Sequence, residues 1–151
     1  MAGDEFALVP PVHRCACRVL YGDTDAGGVV YYANYLRFFE TGRTEFMRDL
    51  AVPYSELEKE GVILPVADCR IRYKASARYD DLLLIETALA ELKPVSCRFH
   101  YRISRRDDGK LLALGYTVNV AVDRQGKLSK LPAELRQRLQ SLEGKTFPAV
   151  P

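Results

Sequence analysis

Two periodicities follow one another along the chain and predict a long helix together with several strands. Over about residues 30–50 apolar residues recur three and four positions apart, as in a helix with one buried stripe. Other segments alternate apolar and polar residues, which is typical of strands with one buried face. These predicted strands cover residues 12–21, 62–76, 82–93, 95–106 and 111–124.

The order of these elements favours one α+β domain. Neighbouring strands with short connections between them are predicted to pair as antiparallel hairpins. A long helix with an apolar stripe and a sheet with one apolar face bury both surfaces most simply by packing on each other. We therefore expect a single domain over residues 1–151, with a core of about 12–142 and flexible tails at 1–11 and 143–151.

Composition narrows the functional classes. The chain has 151 residues, 48% of them hydrophobic, which is enough for one core. With 22 basic and 20 acidic residues the net charge is only +2, which argues against nucleic acid as the main partner. No apolar run approaches the roughly 18 residues of a membrane helix, so we expect a cytoplasmic protein without membrane insertion. The four cysteines lack metal-ligand spacing, and we expect no metal.

A turn rich in glycine and aspartate separates the first strand from the long helix. Gly27 and Gly28 allow a sharp bend and a close approach of the backbone to a ligand. The predicted helix begins directly after them, so its free N–H groups would face the turn and attract a polarised carbonyl oxygen. Asp25 lies a few residues earlier, and a carboxylate beside such donors is the minimum equipment for acyl transfer. The simpler alternative is an aspartate that only caps the helix.

The segment from residue 21 to residue 35 reads YGDTDAGGVVYYANY. It resembles the signature of hotdog-fold acyl-CoA thioesterases, in the branch of 4-hydroxybenzoyl-CoA thioesterase and the Tol-Pal-associated acyl-CoA thioesterases. A supporting match is RYDDL at residues 78–82. The resemblance covers roughly residues 12–124 and implies the hotdog fold, a long central helix wrapped by a five-stranded antiparallel sheet.

The same resemblance implies roles for individual residues. Asp25 falls on the catalytic carboxylate, and the backbone N–H of Tyr32 falls on the group that polarises the thioester carbonyl. Many Tol-Pal-associated members have histidine at the position of Tyr32, so this chain leans toward the hydroxybenzoyl-type arrangement. Ser76 falls where a hydroxyl lines the acyl pocket, and basic residues would bind the phosphates of coenzyme A. The expected substrate contacts are Gly28, Val30, Tyr31, Lys74, Ser76, Arg78 and Arg102.

Glu40 is the rival to Asp25, because some other hotdog thioesterases use a glutamate on the helix as the catalytic group. Its plainer interpretation is a polar partner of Arg37 or Arg43, which lie three residues before and after it.

The function predicted from these residues is hydrolysis of a small acyl- or aroyl-CoA thioester to a carboxylate and free coenzyme A. No cofactor is expected, since coenzyme A is part of the substrate. The family also implies a homo-oligomer, a dimer or a homotetramer built as a dimer of dimers. Three alternatives remain: a non-catalytic binding module for acyl-CoA or an acyl carrier, a hotdog hydratase or dehydratase, and an RNA binder. The last would use a basic face of the sheet formed by Arg70, Arg72, Lys74, Arg98 and Arg102.

Overall fold

A computed structural model describes residues 4–142. Its elements are β1 (Val12–Arg18), a 3-10 turn (Tyr21–Asp23), α1 (Asn34–Leu50), α2 (Tyr54–Lys59), β2 (Val66–Tyr73), β3 (Leu82–Leu92), β4 (Ser96–Arg105), β5 (Leu111–Val120) and α3 (Ala133–Ser141). Within these residues, no helix is both long enough and apolar enough to cross a membrane.

The five strands form one antiparallel sheet in the order β1-β3-β4-β5-β2. The hairpins β3–β4 and β4–β5 form as predicted, but the predicted β2–β3 hairpin is wrong. Instead β2 pairs with β5 at one edge, and β3 pairs with β1 at the other. The connection from β2 to β3 is bound by Arg105 at the end of β4. Its guanidinium donates to the Ser76 carbonyl at 3.0 Å and to the Asp81 carboxylate at 3.2 Å. The chain therefore crosses the end of the sheet instead of folding back on itself.

The core lies between α1 and the inner face of the sheet. The ring of Phe39 on α1 stacks on Tyr101 of β4 at 4.4 Å, and Phe46 meets Phe99 edge to face at 5.4 Å. All four of these side chains are fully buried. Large aromatic residues bury much apolar surface and dominate the stability of a core, so these contacts fix the long helix on the sheet. The predicted α+β fold is confirmed.

The helix α1 begins at Asn34, four residues later than predicted. The intervening backbone is held by partners outside the helix, since Val30 N–H donates to the Ala77 carbonyl and Tyr31 N–H to the Asp23 carbonyl, both at 2.9 Å. These two bonds hold residues 30–31 against Ala77 and Asp23, in a segment that precedes the helix.

Residues 4–9, predicted to be part of a flexible tail, lie on the outer face of the sheet. Phe6 is only 2% exposed, and its ring lies 6.1 Å from that of Tyr116. Glu5 forms ion pairs with two arginines of β2. The His100 Nδ1–H donates to the Ala7 carbonyl at 2.8 Å, and burial lowers the pKa of this histidine. Residues 1–3 and 143–151 of the predicted tails lie outside the described part of the chain.

The helix α1 approaches the sheet closely at Gly42. A Cβ atom at this position would lie 2.5 Å from Thr87 Oγ1 and 2.6 Å from Ile85 Cγ2, both on β3. Contacts this short are repulsive, so a residue without a side chain is required for the helix to lie at this depth.

We expect Gly42→Ala to lower the free energy of unfolding by about 1–2 kcal/mol, because the overpacking cost exceeds the gain in helix propensity. Urea unfolding measures the change. Gly22→Ala is the matched control, since nothing lies within 4 Å of its added Cβ, and it should change stability by less than about 0.5 kcal/mol. Equal effects of the two substitutions would contradict the close approach.

Candidate active site

A cavity of about 370 Å³ opens where the loop before α1 meets the end of β2. Loop and strand are distant in sequence, and the hydrogen bond from the Tyr73 hydroxyl to the Tyr32 carbonyl joins them across 41 residues. The cavity is lined by Asp25, Val29, Val30, Tyr32, Tyr35, Tyr73, Lys74, Ala75 and Ser76. Five of the residues selected from the sequence are in this set: Asp25, Val30, Tyr32, Lys74 and Ser76.

Asp25 is held at the mouth of this cavity by its own turn. Its Oδ1 accepts the N–H of Gly27 at 2.8 Å, while its carbonyl accepts the N–H of Gly28 at 3.0 Å. Gly28 has a φ of 77°, in the left-handed region that glycine adopts without strain. The other carboxylate oxygen has no hydrogen-bond partner among residues 4–142, and the side chain is exposed. One oxygen therefore orients the carboxylate, and the other remains available for a ligand.

Tyr32 offers a backbone donor at the same cavity. Its N–H makes no hydrogen bond within the described part of the chain, whereas that of Tyr31 is taken by Asp23. The Tyr32 carbonyl accepts the hydroxyl of Tyr73 on β2 at 2.8 Å, which ties the next peptide, between Tyr32 and Ala33, to the edge strand. The free N–H lies in the turn that precedes α1, not inside the helix as the sequence predicts.

Two tyrosines form a wall of the cavity. Tyr35 is 2% exposed, and its hydroxyl accepts the N–H of Ala77 at 3.1 Å. The Tyr73 ring meets the Tyr35 ring at 5.4 Å in an edge-to-face arrangement. Burial raises the pKa of both hydroxyls, so both are neutral at physiological pH and can donate a hydrogen bond.

Tyr73, Val29 and Ala75 are cavity residues that sequence reasoning missed as site residues. The alternation along β2 does place Tyr73 on the apolar side of its strand. That β2 is an edge strand beside the loop depends on its pairing with β5, which alternation does not reveal.

The other predicted contacts lie at different distances from the cavity. Arg78 is exposed beside the turn, with Nη1 3.9 Å from where a Cβ on Gly28 would lie. The ring of Tyr31 is 45% exposed and packs against that of Tyr32 at 4.8 Å. Arg102 is not brought to the cavity, because it points to the outer face of β4, opposite to the neighbouring Tyr101 that packs on α1.

Glu40 is separate from this cavity. It is exposed and lines two neighbouring cavities of about 340 and 410 Å³ farther along α1. The expected pairing with an arginine is absent among residues 4–142: Arg37 pairs with Asp23, and Arg43 donates to the hydroxyls of Tyr54, Tyr101 and Thr117.

The described residues contain no group of three or more His, Cys, Asp or Glu side chains that could hold a metal ion. All four cysteines are free thiols; Cys97 is buried, which raises its pKa to about 12, and Cys69 is exposed on β2. None of the four cysteines lines the Asp25 cavity.

Comparison with known proteins agrees with the fold. The acyl-CoA thioesterase YbgC of Haemophilus influenzae is 39% identical over 129 residues, which cover 83% of this chain and 93% of the relative. A hypothetical protein from Thermus thermophilus has a similar structure, with a TM-score of 0.82, 30% identity, and 87% of this chain and 99% of the other covered. A gentisyl-coenzyme A thioesterase gives a TM-score of 0.75 and 28% identity, with 82% and 98% covered.

The family model described as the thioesterase-like superfamily matches residues 19–139, which include the Asp25 turn, α1 and strands β2 to β5. The chain therefore belongs to the thioesterase-like superfamily and has its hotdog fold.

Proposed function

We propose that the chain hydrolyses the thioester of a small acyl- or aroyl-coenzyme A, giving a carboxylate and free coenzyme A. The observation that carries the proposal is one cavity lined by both Asp25, whose carboxylate has a free oxygen, and Tyr32, whose backbone N–H is unpaired among residues 4–142. Similarity to relatives named as acyl-CoA thioesterases supports the substrate class.

The two groups match the two needs of thioester hydrolysis. The free oxygen of Asp25 attacks the carbonyl carbon and forms a mixed anhydride, which water then hydrolyses to the carboxylate product and free Asp25. Alternatively, it takes a proton from a water molecule that attacks the carbonyl carbon directly. The Tyr32 N–H donates to the carbonyl oxygen, which becomes an oxyanion in the tetrahedral intermediate. Collapse of that intermediate expels the coenzyme A thiolate, a stable leaving group, so the proposed mechanism uses neither a metal nor a cofactor.

The remaining cavity residues suggest how the substrate is oriented. Tyr35, Tyr73 and the Val30 side chain offer a mostly apolar wall, suited to a short or aromatic acyl group. The Ser76 hydroxyl supplies a polar contact at the same wall. Lys74 at the lining and Arg78 beside the turn are the proposed cations for the coenzyme A phosphates, whereas the position of Arg102 removes it from this role.

The alternatives make different predictions. A binding module would hold acyl-CoA without releasing thiol and would not depend on the Asp25 carboxylate. A hydratase or dehydratase of this fold would use a histidine beside the aspartate, but both histidines, His13 and His100, lie outside the cavity. An RNA binder would show steep salt dependence, and its basic face is partly covered by residues 4–9.

We expect Asp25→Asn to lower kcat for thiol release about 10²- to 10⁴-fold, since asparagine keeps the bond from Gly27 but cannot act as a nucleophile or base. The assay follows free thiol with short, long and aromatic acyl-CoA substrates. Glu40→Gln is the matched control and should stay within about threefold of wild type. The reverse pattern would transfer the catalytic role to Glu40, and binding without turnover in the wild type would support the binding module.

We also propose that the chain forms a homodimer through the β2 edge, as a step toward a homotetramer. Every residue of β2 is exposed or half-buried, and the strand has no neighbour on its outer side in the described chain. Val66, Tyr73 and Leu36 expose apolar surface along this edge. Pairing two β2 strands would satisfy their free backbone groups and cover this surface.

We propose the cytoplasm as the location of the protein, because its proposed substrate, acyl-CoA, is soluble.

The β2 contact predicts a particle of at least twice the 17.0 kDa chain mass in light scattering after size exclusion. Val66→Asp places a charge in the proposed contact and should shift the particle toward the monomer. Leu128→Asp is the control, because Leu128 is also an exposed apolar residue, 65% exposed against 47% for Val66, and lies on the connection after β5. A monomeric wild type, or equal shifts in both variants, would contradict the β2 interface.

A further inference from the structure

Asp23 lies two residues before Asp25 and does not line the cavity, yet it is only 6% exposed. Its carboxylate forms an ion pair with Arg37 on α1, and its Oδ2 accepts the N–H of Leu20 at 2.8 Å. A buried carboxylate is tolerated only when it is paired and hydrogen-bonded, and Asp23 meets both conditions. The side chain thus links Leu20, which follows β1, to the first turn of α1.

The backbone of Asp23 makes a second set of bonds. Its carbonyl oxygen accepts the N–H of Tyr31 and the Nδ2–H of Asn34, each at 2.9 Å. One residue therefore joins the beginning of the loop, the end of the loop and the first residue of α1. Asn34 is not a helix cap here, since its side chain reaches back to Asp23.

The two groups proposed for the reaction lie close to the bonds that Asp23 makes. Asp25 follows Asp23 by two positions, and the bridge between Thr24 and Val30 continues the pairing of the two loop arms. Tyr32 follows the anchored Tyr31 N–H by one position. A shift at Asp23 would consequently move the Asp25 carboxylate and the Tyr32 N–H relative to each other.

We propose that Asp23, Arg37 and Asn34 act as a positioning clamp that sets the separation between the Asp25 carboxylate and the Tyr32 N–H. The clamp rests on the proposed function, because positioning matters only if those two groups act on the same carbonyl. Its members are positioning residues that do not touch the substrate. A displacement of about 1 Å at a reacting group can reduce a rate about 10²-fold, so the clamp acts on kcat.

The test is a double-substitution cycle with Asn34→Ala and Asp25→Asn. Alanine removes the bond to the Asp23 carbonyl and is a good helix former at the start of α1, so the fold is retained. We expect kcat to fall about 10- to 10²-fold in Asn34→Ala, with KM within about threefold and an unchanged melting temperature. In the Asp25→Asn background the same substitution should have almost no further effect in a single-turnover assay.

Arg37 gives an independent arm of the test. Arg37→Met should lower kcat like Asn34→Ala, and Arg37→Lys should recover part of the loss because it retains the charge opposite Asp23. Arg48→Met, which removes an exposed ion pair with Glu45 on the same helix, is the control and should leave kcat unchanged.

The possible results distinguish failure of the positioning clamp from failure of the proposed catalytic role of Asp25. If Asp25→Asn keeps full turnover, the proposed catalytic carboxylate fails, and the clamp fails with it. If Asp25→Asn is inactive while Asn34→Ala and Arg37→Met keep full kcat, only the clamp is overturned. A loss in Asn34→Ala that persists unchanged in the Asp25→Asn background, or that follows a drop in melting temperature, would show a general structural role and also overturn the clamp.

Discussion

The apolar face of α1 leaves water only by lying against the inner face of the sheet, and this packing determines where the loop before the helix can be. Phe39 stacks on Tyr101, and the missing side chain at Gly42 lets the helix approach β3 closely. With the helix fixed, its first turn faces the end of the edge strand β2. The cavity at that junction is a consequence of the packing, and it holds Asp25 without any further element.

The polar groups near the cavity divide into those that are committed to structure and those that remain free. Asp23 is buried and fully bonded, whereas Asp25, two residues later, is exposed and has one free oxygen. The same contrast applies to neighbouring backbone groups, because the Tyr31 N–H is bonded and the Tyr32 N–H is not. Unsatisfied groups are costly only where water and ligands cannot reach them, so the free pair is tolerated at an open cavity.

The sequence predicted the fold class and much of the cavity, for physical reasons that are easy to identify. Periods of two and of three to four are local, so α1 and the strands followed from them, and the motif around Asp25 indicated the family. The features that the sequence did not predict depend on contacts between residues that are far apart in the chain. The late start of α1 accompanies bonds to Asp23 and Ala77, and the ordering of residues 4–9, predicted to be flexible, comes from contacts such as that between Ala7 and His100. Tyr73 lines the cavity because β2 pairs with β5, and this pairing was not predicted from the sequence.

The central claim is that Asp25 and the Tyr32 N–H act on the same thioester carbonyl. The most direct measurement is a crystal structure of the chain with an acyl-CoA analogue in which a methylene group replaces the sulfur and the carbonyl is kept. We expect the carbonyl oxygen about 3 Å from the Tyr32 nitrogen, with the carbonyl carbon about 3–3.5 Å from an Asp25 oxygen or from a water bound to it. A carbonyl located in the cavities lined by Glu40 and Arg43, with the Tyr32 N–H unoccupied, would contradict it.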